Sequence, residues 1–579
     1  AIVAAMACSA LAWRRARALA ADSEPSPGAL RAERRHVLVL VYGASMRAGH
    51  VDESSAARVG SAPLTHLGAI PFVHDVRDGP PMLVPDGSLR GVVLHFAHTT
   101  EAAPDWLAPW LHARLDEGAR LVVLGNPGSL AWPDAGADDE PVLTGLLRRV
   151  GVELRGAAPV TAVEARWTLP EYDAGEIGLP ERPVHWPIRA ADPSHRAVVE
   201  TRADDAGEPP GHPVLVGDFG AVALDPYVAH SGRATTLRMR LDLHALLRDA
   251  LDLGGVPAPD PCVLNGRRVF FCHVDGDGLH GVPPHAPDQL NADVFAEQIV
   301  DRFALPFTVS VVVGEITPDL HVAEPTREMR AAAALLARPN VEAASHGILH
   351  PFFWHRPRSG FEDGVPPPAI AGVLGYEFGF AAEVRDSVRF IDERLLAGGK
   401  RVELMLWTGT ALPDEATLRV ARELGLANLN GGTYRWDPVY DSVGYVSALG
   451  RRAGAEVQPY AGAPNEREFE GYFDVQPGSF RHAAVSIERT GAERILKPAN
   501  VYAHLYGVER IARLRALEGL LRRSGEEAEP APVFASVYAL AVASALTTAE
   551  VARADEGWAL RGFGDCRTAR LDDEPREPD

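Results

Sequence analysis

Short apolar runs of strand length recur along this chain, and the stretches between them carry helical rhythm. His36–Gly43 (HVLVLVYG), Ala69–Val73, Val92–Phe96 and Arg120–Gly125 are such runs, the last preceded by a helical pattern over Trp106–Leu115. A strand that is apolar at every position is buried on both faces, and strands alternating with helices make a parallel α/β sheet. From about 150 to 250 the pattern is less regular, with β-like pieces at Val214–Asp218 and Ala234–Leu241 and a helix expected at Leu243–Leu251. Pro257, Pro259 and Pro261 then punctuate the chain, and the alternation resumes. Strand-like runs follow at Val269–Val274, Phe307–Val313, Val341–Ala344, Val402–Trp407, Val501–Tyr506 and Val533–Tyr538. Helical patterns at Asp293–Phe303, Arg327–Leu336, Glu383–Leu395 and Glu415–Leu424 separate them. The expected organisation is therefore an α/β domain over 36–255, followed over 262–571 by a complete or distorted (β/α) barrel.

The two ends read differently. Ala1 to Trp13 is an apolar stretch followed by Arg14, Arg15 and Arg17. It is too short to span a bilayer and suits the hydrophobic region of a signal peptide. Residues 1–21 are thus expected to be a trimmed signal peptide or anchor, and the protein to be exported, periplasmic or extracellular. Cleavage after Ala18-Leu19-Ala20 and lipid attachment at Cys8 both stay open. The polar stretch 22–35 reads as a linker, and 572–579 (DDEPREPD) as a disordered tail. With 57 basic and 78 acidic residues the net charge is −21, which argues against nucleic acid as a partner. The four cysteines, Cys8, Cys262, Cys272 and Cys566, are too few and scattered for a disulfide scaffold or a cysteine-based zinc site.

The layout of the first domain resembles the flavodoxin-like or class I glutamine-amidotransferase-like sheet. An amidotransferase would carry its nucleophilic cysteine on a glycine-flanked turn. The corresponding turn here, Gly125-Asn126-Pro127-Gly128, has no cysteine. The domain is expected to be non-catalytic, serving as scaffold or for recognition.

Chemistry is expected where barrel strands end, because that rim is built from the loops that follow them. The first barrel strand runs into Asp275-Gly276-Asp277-Gly278, and side chains two apart on an extended backbone point the same way. Two close carboxylates repel unless a cation neutralises them, so a metal ion is the economical reading. The later ligands of an EF-hand loop are missing. The third strand ends in Ser345-His346-Gly347-Ile348-Leu349-His350-Pro351, a spacing that one helical turn would bring to one side. With 21 histidines in the chain, chance alone supplies about one such pair. The weight comes from both motifs ending strands of one barrel: a carboxylate and two imidazoles leave positions open on zinc or a similar ion. On Val501–Tyr506 and its approach, period two puts Asn500, Tyr502 and His504 on one face, which suits a pocket or a hydrogen-bonded core histidine. Trp407 is either core or a wall for a sugar.

Together HVDGDG, SHGILHPF, Leu406-Trp407, Asn430-Gly431-Gly432 and NVYAHLYG resemble, in that order, the deacetylase domain of the Pel exopolysaccharide-biosynthesis proteins. That domain is a divergent branch of the polysaccharide deacetylases, carbohydrate esterase family four with a NodB-like barrel. The likeness covers about Arg267 to Leu571. It implies that Asp277, His346 and His350 hold a divalent metal, zinc by preference. It further implies that Asp275 is the general base and that His504 protonates the departing amine; Trp407, Asn500 and Tyr502, from the strand-end and polar-face reading, are the candidate substrate contacts. The substrate would be an N-acetylated polysaccharide, and the partners exopolysaccharide synthesis or export proteins. Two departures stand out: Gly276 separates a carboxylate pair that is adjacent in typical members, and the arginine that orients their base has no clear equivalent, Arg356-Pro357 lying close after the histidines. A catalytically inactive barrel that binds polysaccharide or docks to export machinery, and an amidase for a small molecule or peptide, are the alternatives.

Overall fold

The computed structural model describes residues 30–42, 55–82, 88–95, 104–125, 142–155, 159–203, 209–231, 237–354, 373–466, 479–555 and 557–571. The expected export segment, residues 22–29 of the linker, the turn at 126–128, Arg356-Pro357 and the tail at 572–579 lie outside them. The linker's end is not a free connector, since Arg31 and Ala32 pair antiparallel with Arg553 and Ala552. The chain forms two compact units. One holds Arg34–Asp260 with Gly432–Tyr460, the other Pro261–Gly431 with Ala461–Thr568.

In the first unit the four apolar runs become β1 (His36–Val41), β2 (Ile70–Asp75), β3 (Leu89–His95) and β4 (Arg120–Gly125). The less regular stretch supplies β5 (Val160–Trp167), β6 (Val184–His185), β7 (Arg196–Ala203), β8 (Gly211–Gly217) and β9 (Gly220–Leu224). They make one nine-stranded sheet in the order β2-β1-β3-β4-β9-β8-β7-β5-β6. Pairing is parallel from β2 through β9 and antiparallel beyond it. The purely parallel sheet expected from the sequence is thus corrected to a parallel-rich one. The reason is visible in β5, whose exposure alternates along the strand as a half-solvated antiparallel strand does. The parallel half is covered on both faces. Helix α1 (Leu107–Asp116) packs Leu107 and Leu111 on Leu38, Leu94 and Leu121. Helix α2 (Leu243–Ala250), capped by Asp242, packs Leu246 and Leu247 on Val39, Val122 and Val214.

Gly432–Tyr460 was expected within the barrel and instead belongs to this unit. Backbone N–H groups of Val443 and Leu449 donate to Glu176 (2.7 Å) and Thr65 (3.2 Å), and Leu237 donates to the Tyr445 hydroxyl (2.8 Å). Such polar anchors leave no periodic trace in a sequence.

The second unit holds β10 (Val263–Leu264), β11 (Arg267–Asp275), β12 (Phe307–Val311), β13 (Val341–Ser345), β14 (Val402–Leu406), β15 (Ala427–Leu429), β16 (Ala499–His504) and β17 (Ala531–Pro532). Six run parallel in the order β16-β11-β12-β13-β14-β15, the short β17 also pairs parallel with β11, and β10 joins β11 antiparallel. Among the described residues no pairing joins β15 to β16, so the sheet is a curled half-barrel rather than a closed barrel. Helices α3 (Arg327–Leu336), α4 (Phe380–Arg394) and α5 (Glu415–Glu423) lie where the rhythm put them. Val533–Tyr538 is a correction: only Ala531–Pro532 is strand, and α6 (Ala535–Thr547) follows at once. A continuous apolar run does not distinguish strand from buried helix, and here the alanine-rich run continues for three helical turns. Because the six parallel strands share one direction, Asp275, His346, Trp407, Asn430 and His504 all stand at or just past their carboxyl ends.

Candidate metal centre

Asp275 closes β11, and Asp277 follows on a turn that is held rather than loose. The Gly276 N–H donates to Ser310 Oγ (3.0 Å), the Gly278 N–H to Glu315 Oε2 (2.8 Å), and the Tyr506 N–H to the Asp277 carbonyl (3.1 Å). Gly276 has a steric reason to be there. A Cβ on it would lie 2.7 Å from the Ser310 carbonyl oxygen and 2.9 Å from Val311 Cα.

The segment after β13 brings both imidazoles to this turn, though not by the helical turn expected. It is a loop with two left-handed residues, Gly347 (φ 79°) and His350 (φ 53°). His346 Nδ1 donates to the Leu406 carbonyl (2.8 Å), which turns Nε2 toward the carboxylates. His346 Nε2 lies 3.3 Å from Asp277 Oδ2 and 3.6 Å from Asp275 Oδ2, and His350 Nε2 lies 3.0 Å from Asp277 Oδ1. Burial alone would lower the His346 pKa, but the two carboxylates hold it up at about 9. Burial opposes ionisation of Asp277 as well, yet His350 and His346 hold its carboxyl well below the usual range.

Two overlapping sets of donors could hold a metal ion: Asp277, His346 and His350, and Asp275, Asp277 and His504. Within each set the donor atoms lie within 4.8 Å of one another. The fit to an ion rests on more than proximity. Asp277 Oδ2 is buried without a hydrogen-bond partner, and the first set offers two imidazole nitrogens and a carboxylate, a donor combination that suits a zinc-like ion with positions left open.

Asp275 is held by neutral donors. The Tyr502 hydroxyl donates to Oδ2 (2.7 Å), and Asn430 Nδ2 reaches Oδ2 (3.1 Å), Oδ1 (3.3 Å) and the Trp407 carbonyl (3.1 Å). Among the described residues no arginine or lysine pairs with it. Tyr502 also stacks on His273 at 4.3 Å, and burial pushes that imidazole down to about 4, so it stays neutral. Asn500 is placed behind the site rather than in a substrate pocket. Its Oδ1 accepts from His273 Nδ1 (3.0 Å) and its Nδ2 donates to the Ala461 carbonyl (2.6 Å). The shared face of Asn500, Tyr502 and His504 is therefore real. Asn500 bonds His273, which stacks on Tyr502, and Tyr502 bonds Asp275 directly; Asn500, 1% exposed, packs behind the site rather than against substrate, while Tyr502 is half-buried beside Asp275. Trp407 is corrected too: it is 1% exposed, edge-on to Trp354 at 5.0 Å, with its N–H on Asn428 (3.0 Å), so it packs the core and offers no open wall.

His504 stands opposite Asp275 in the β11–β16 register, its Nε2 4.0 Å from Asp275 Oδ2. Its other nitrogen faces Glu466 Oε1 (3.2 Å), which also accepts its backbone N–H (2.9 Å). Burial lowers the His504 pKa, but the Glu466 carboxylate and the two aspartates outweigh it and the net shift is upward. An imidazolium kept protonated by a buried carboxylate is equipped to give a proton away. Glu466, His273 and Glu315 escaped the sequence reading because none has a motif around it: His273 lies inside β11 and Glu315 in the four-residue helix Val313–Ile316. Compared with known proteins, the sequence matches no family model and no curated protein.

Proposed function

We propose that the protein is a divalent-metal-dependent de-N-acetylase acting on an N-acetylhexosamine polysaccharide. On this reading the second unit is a polysaccharide deacetylase-like half-barrel of the NodB type, with zinc as its ion. The first unit is a flavodoxin-like sheet, whose parallel half β2-β1-β3-β4-β9 has the order 2-1-3-4-5 when its five strands are counted among themselves, and it serves as scaffold or recognition element. The observation that carries the reading is the convergence of Asp277, His346 and His350 beside Asp275 and His504.

The bound ion would supply Lewis acidity to the acetamide carbonyl and to water. Asp275, oriented by Tyr502 and Asn430, takes a proton from the attacking water as its oxygen bonds to the carbonyl carbon. His504, oriented by Glu466, gives its proton to the sugar nitrogen as the C–N bond breaks, leaving acetate and a free amine. The apolar Ala1–Trp13 stretch supports placing this reaction outside the cytoplasm, alongside exopolysaccharide synthesis or export proteins. The test is Asp277→Asn, assayed for ion content and for acetate released from N-acetylhexosamine oligomers. The variant is expected to keep its circular dichroism and lose both. Unchanged acetate release would reject the assignment, and a metal-loaded wild type that binds glycan without releasing acetate would favour a binding protein.

A further inference from the structure

We infer that Glu383 is a positioning residue for the metal centre, clamping the loop between His346 and His350 and thereby setting the separation of the two imidazole donors. The inference rests on the reading of this cluster as an ion site.

Glu383 lies in the first turn of α4 and is fully buried, 0% exposed. It touches none of the converging donors. Its Oε2 accepts the backbone N–H groups of Ile348 (2.7 Å) and Leu349 (3.1 Å), its Oε1 lies 3.3 Å from the Leu349 nitrogen, and the Tyr376 hydroxyl donates to Oε1. One turn further along α4, Ser387 Oγ meets Ser345 Oγ at 2.6 Å. The helix thus grips the loop just before His346 and again just before His350.

The loop is built around this grip. Left-handed backbone at Gly347 and His350 breaks any helix that could satisfy the N–H groups between them, so those groups need an outside acceptor. The Glu383 carboxylate fills the space that a side chain at 347 would occupy, since a Cβ there would lie 2.6 Å from Oε2. Plain packing would favour an apolar side chain in this place, because a buried carboxyl is costly unless its hydrogen bonds have a use. Three residues separate the two histidines, and Glu383 holds the backbone of two of them. Metal–ligand distances tolerate about 0.2 Å, so a loop freed at Ile348 and Leu349 leaves His350 loosely placed.

The experiment measures zinc affinity by competition with a chromogenic chelator and the visible spectrum of the cobalt-substituted protein. Wild type is compared with Glu383→Ala, Glu383→Gln and Tyr376→Phe. Loss of an outer partner of a metal ligand lowers affinity by roughly 10- to 100-fold, and that range is expected for Glu383→Ala, with altered cobalt bands. Glutamine keeps a carbonyl oxygen for the two N–H groups and an amide that the Tyr376 oxygen can accept, so Glu383→Gln should stay within about threefold of wild type with its spectrum. A folded Glu383→Ala with wild-type affinity and wild-type cobalt bands overturns the inference. Should that variant not fold, Tyr376→Phe decides: several-fold weaker zinc binding supports the clamp, and unchanged binding overturns it. A wild-type protein that takes up neither ion defeats the reading of the site itself, which separates the two failures.

Discussion

Gly276→Ala tests whether the turn carrying both aspartates is seated against β12 as tightly as the site requires. The new Cβ would stand 2.7 Å from the Ser310 carbonyl oxygen and 2.9 Å from Val311 Cα, both backbone atoms of a buried strand and its end. Ordinary contacts of this kind are about 3.5 Å, so the turn must retreat by roughly 0.7 Å. That movement stretches the 3.0 Å bond from the Gly276 N–H to Ser310 Oγ past useful length. Overpacking a core position costs about 1–3 kcal/mol, and a lost buried hydrogen bond adds about 1 kcal/mol. Asp277 rides on the same turn, and a displacement several times the ~0.2 Å tolerance of a metal site should weaken zinc binding at least about tenfold. Chelator competition reads the affinity, and calorimetry of the ion-free protein reads the stability. An alanine variant that binds zinc as tightly as wild type and melts at the same temperature would refute the reasoning, because the Asp-Gly-Asp pattern would then have no steric cause.

Glu466→Gln removes the carboxylate that holds His504 protonated, so the loss of kcat on the alkaline side should move to lower pH, while activity near pH 5.5 falls much less; a pH–rate profile shows it. Tyr502→Phe takes away the closest donor to Asp275, a hydrogen bond to a charged group worth about 1.5–3 kcal/mol, so kcat should fall about 10- to 100-fold with zinc affinity and KM little changed. Glu342 lies in the core on β13, accepting from Thr308 Oγ1 (2.8 Å) and the Ser536 N–H (3.3 Å), and burial pushes it up from 4.5 to about 7. A carboxyl raised in the folded state favours folding fully below pH 4.5, and this contribution is lost as pH climbs through 7. Glu342→Gln should therefore gain on wild type by up to about 3 kcal/mol between pH 4.5 and pH 8, read as a rising difference in melting temperature.

Strands buried on both faces were legible because every position is apolar, and their carboxyl ends told where Asp275, Asp277, His346 and His350 would meet. Val533–Tyr538 misled for the same reason, since burial on all sides looks alike in a strand and in α6. The four-residue spacing of the histidines pointed to the right neighbours by the wrong geometry: Gly347 and His350 turn left-handed, which no hydrophobic period reports. Period two on β16 grouped Asn500, Tyr502 and His504 correctly but could not say that Asn500 bonds His273 and Tyr502 bonds Asp275, because strand register is set by pairing partners distant in sequence. The least legible parts are single buried acids. Glu466 and Glu383 sit far along the chain from the groups they orient, and their function depends on one hydrogen-bonding direction each.

The measurement closest to the central claim is acetate release from acetylated hexosamine oligomers by the full chain. It would be followed as zinc is removed with a chelator and then restored. The account predicts release that stops on chelation, returns with about one equivalent of zinc, and is absent in Asp275→Asn protein that still binds the ion. Acetate release that persists without any divalent ion, or its absence from protein carrying zinc at Asp277, His346 and His350, would contradict it.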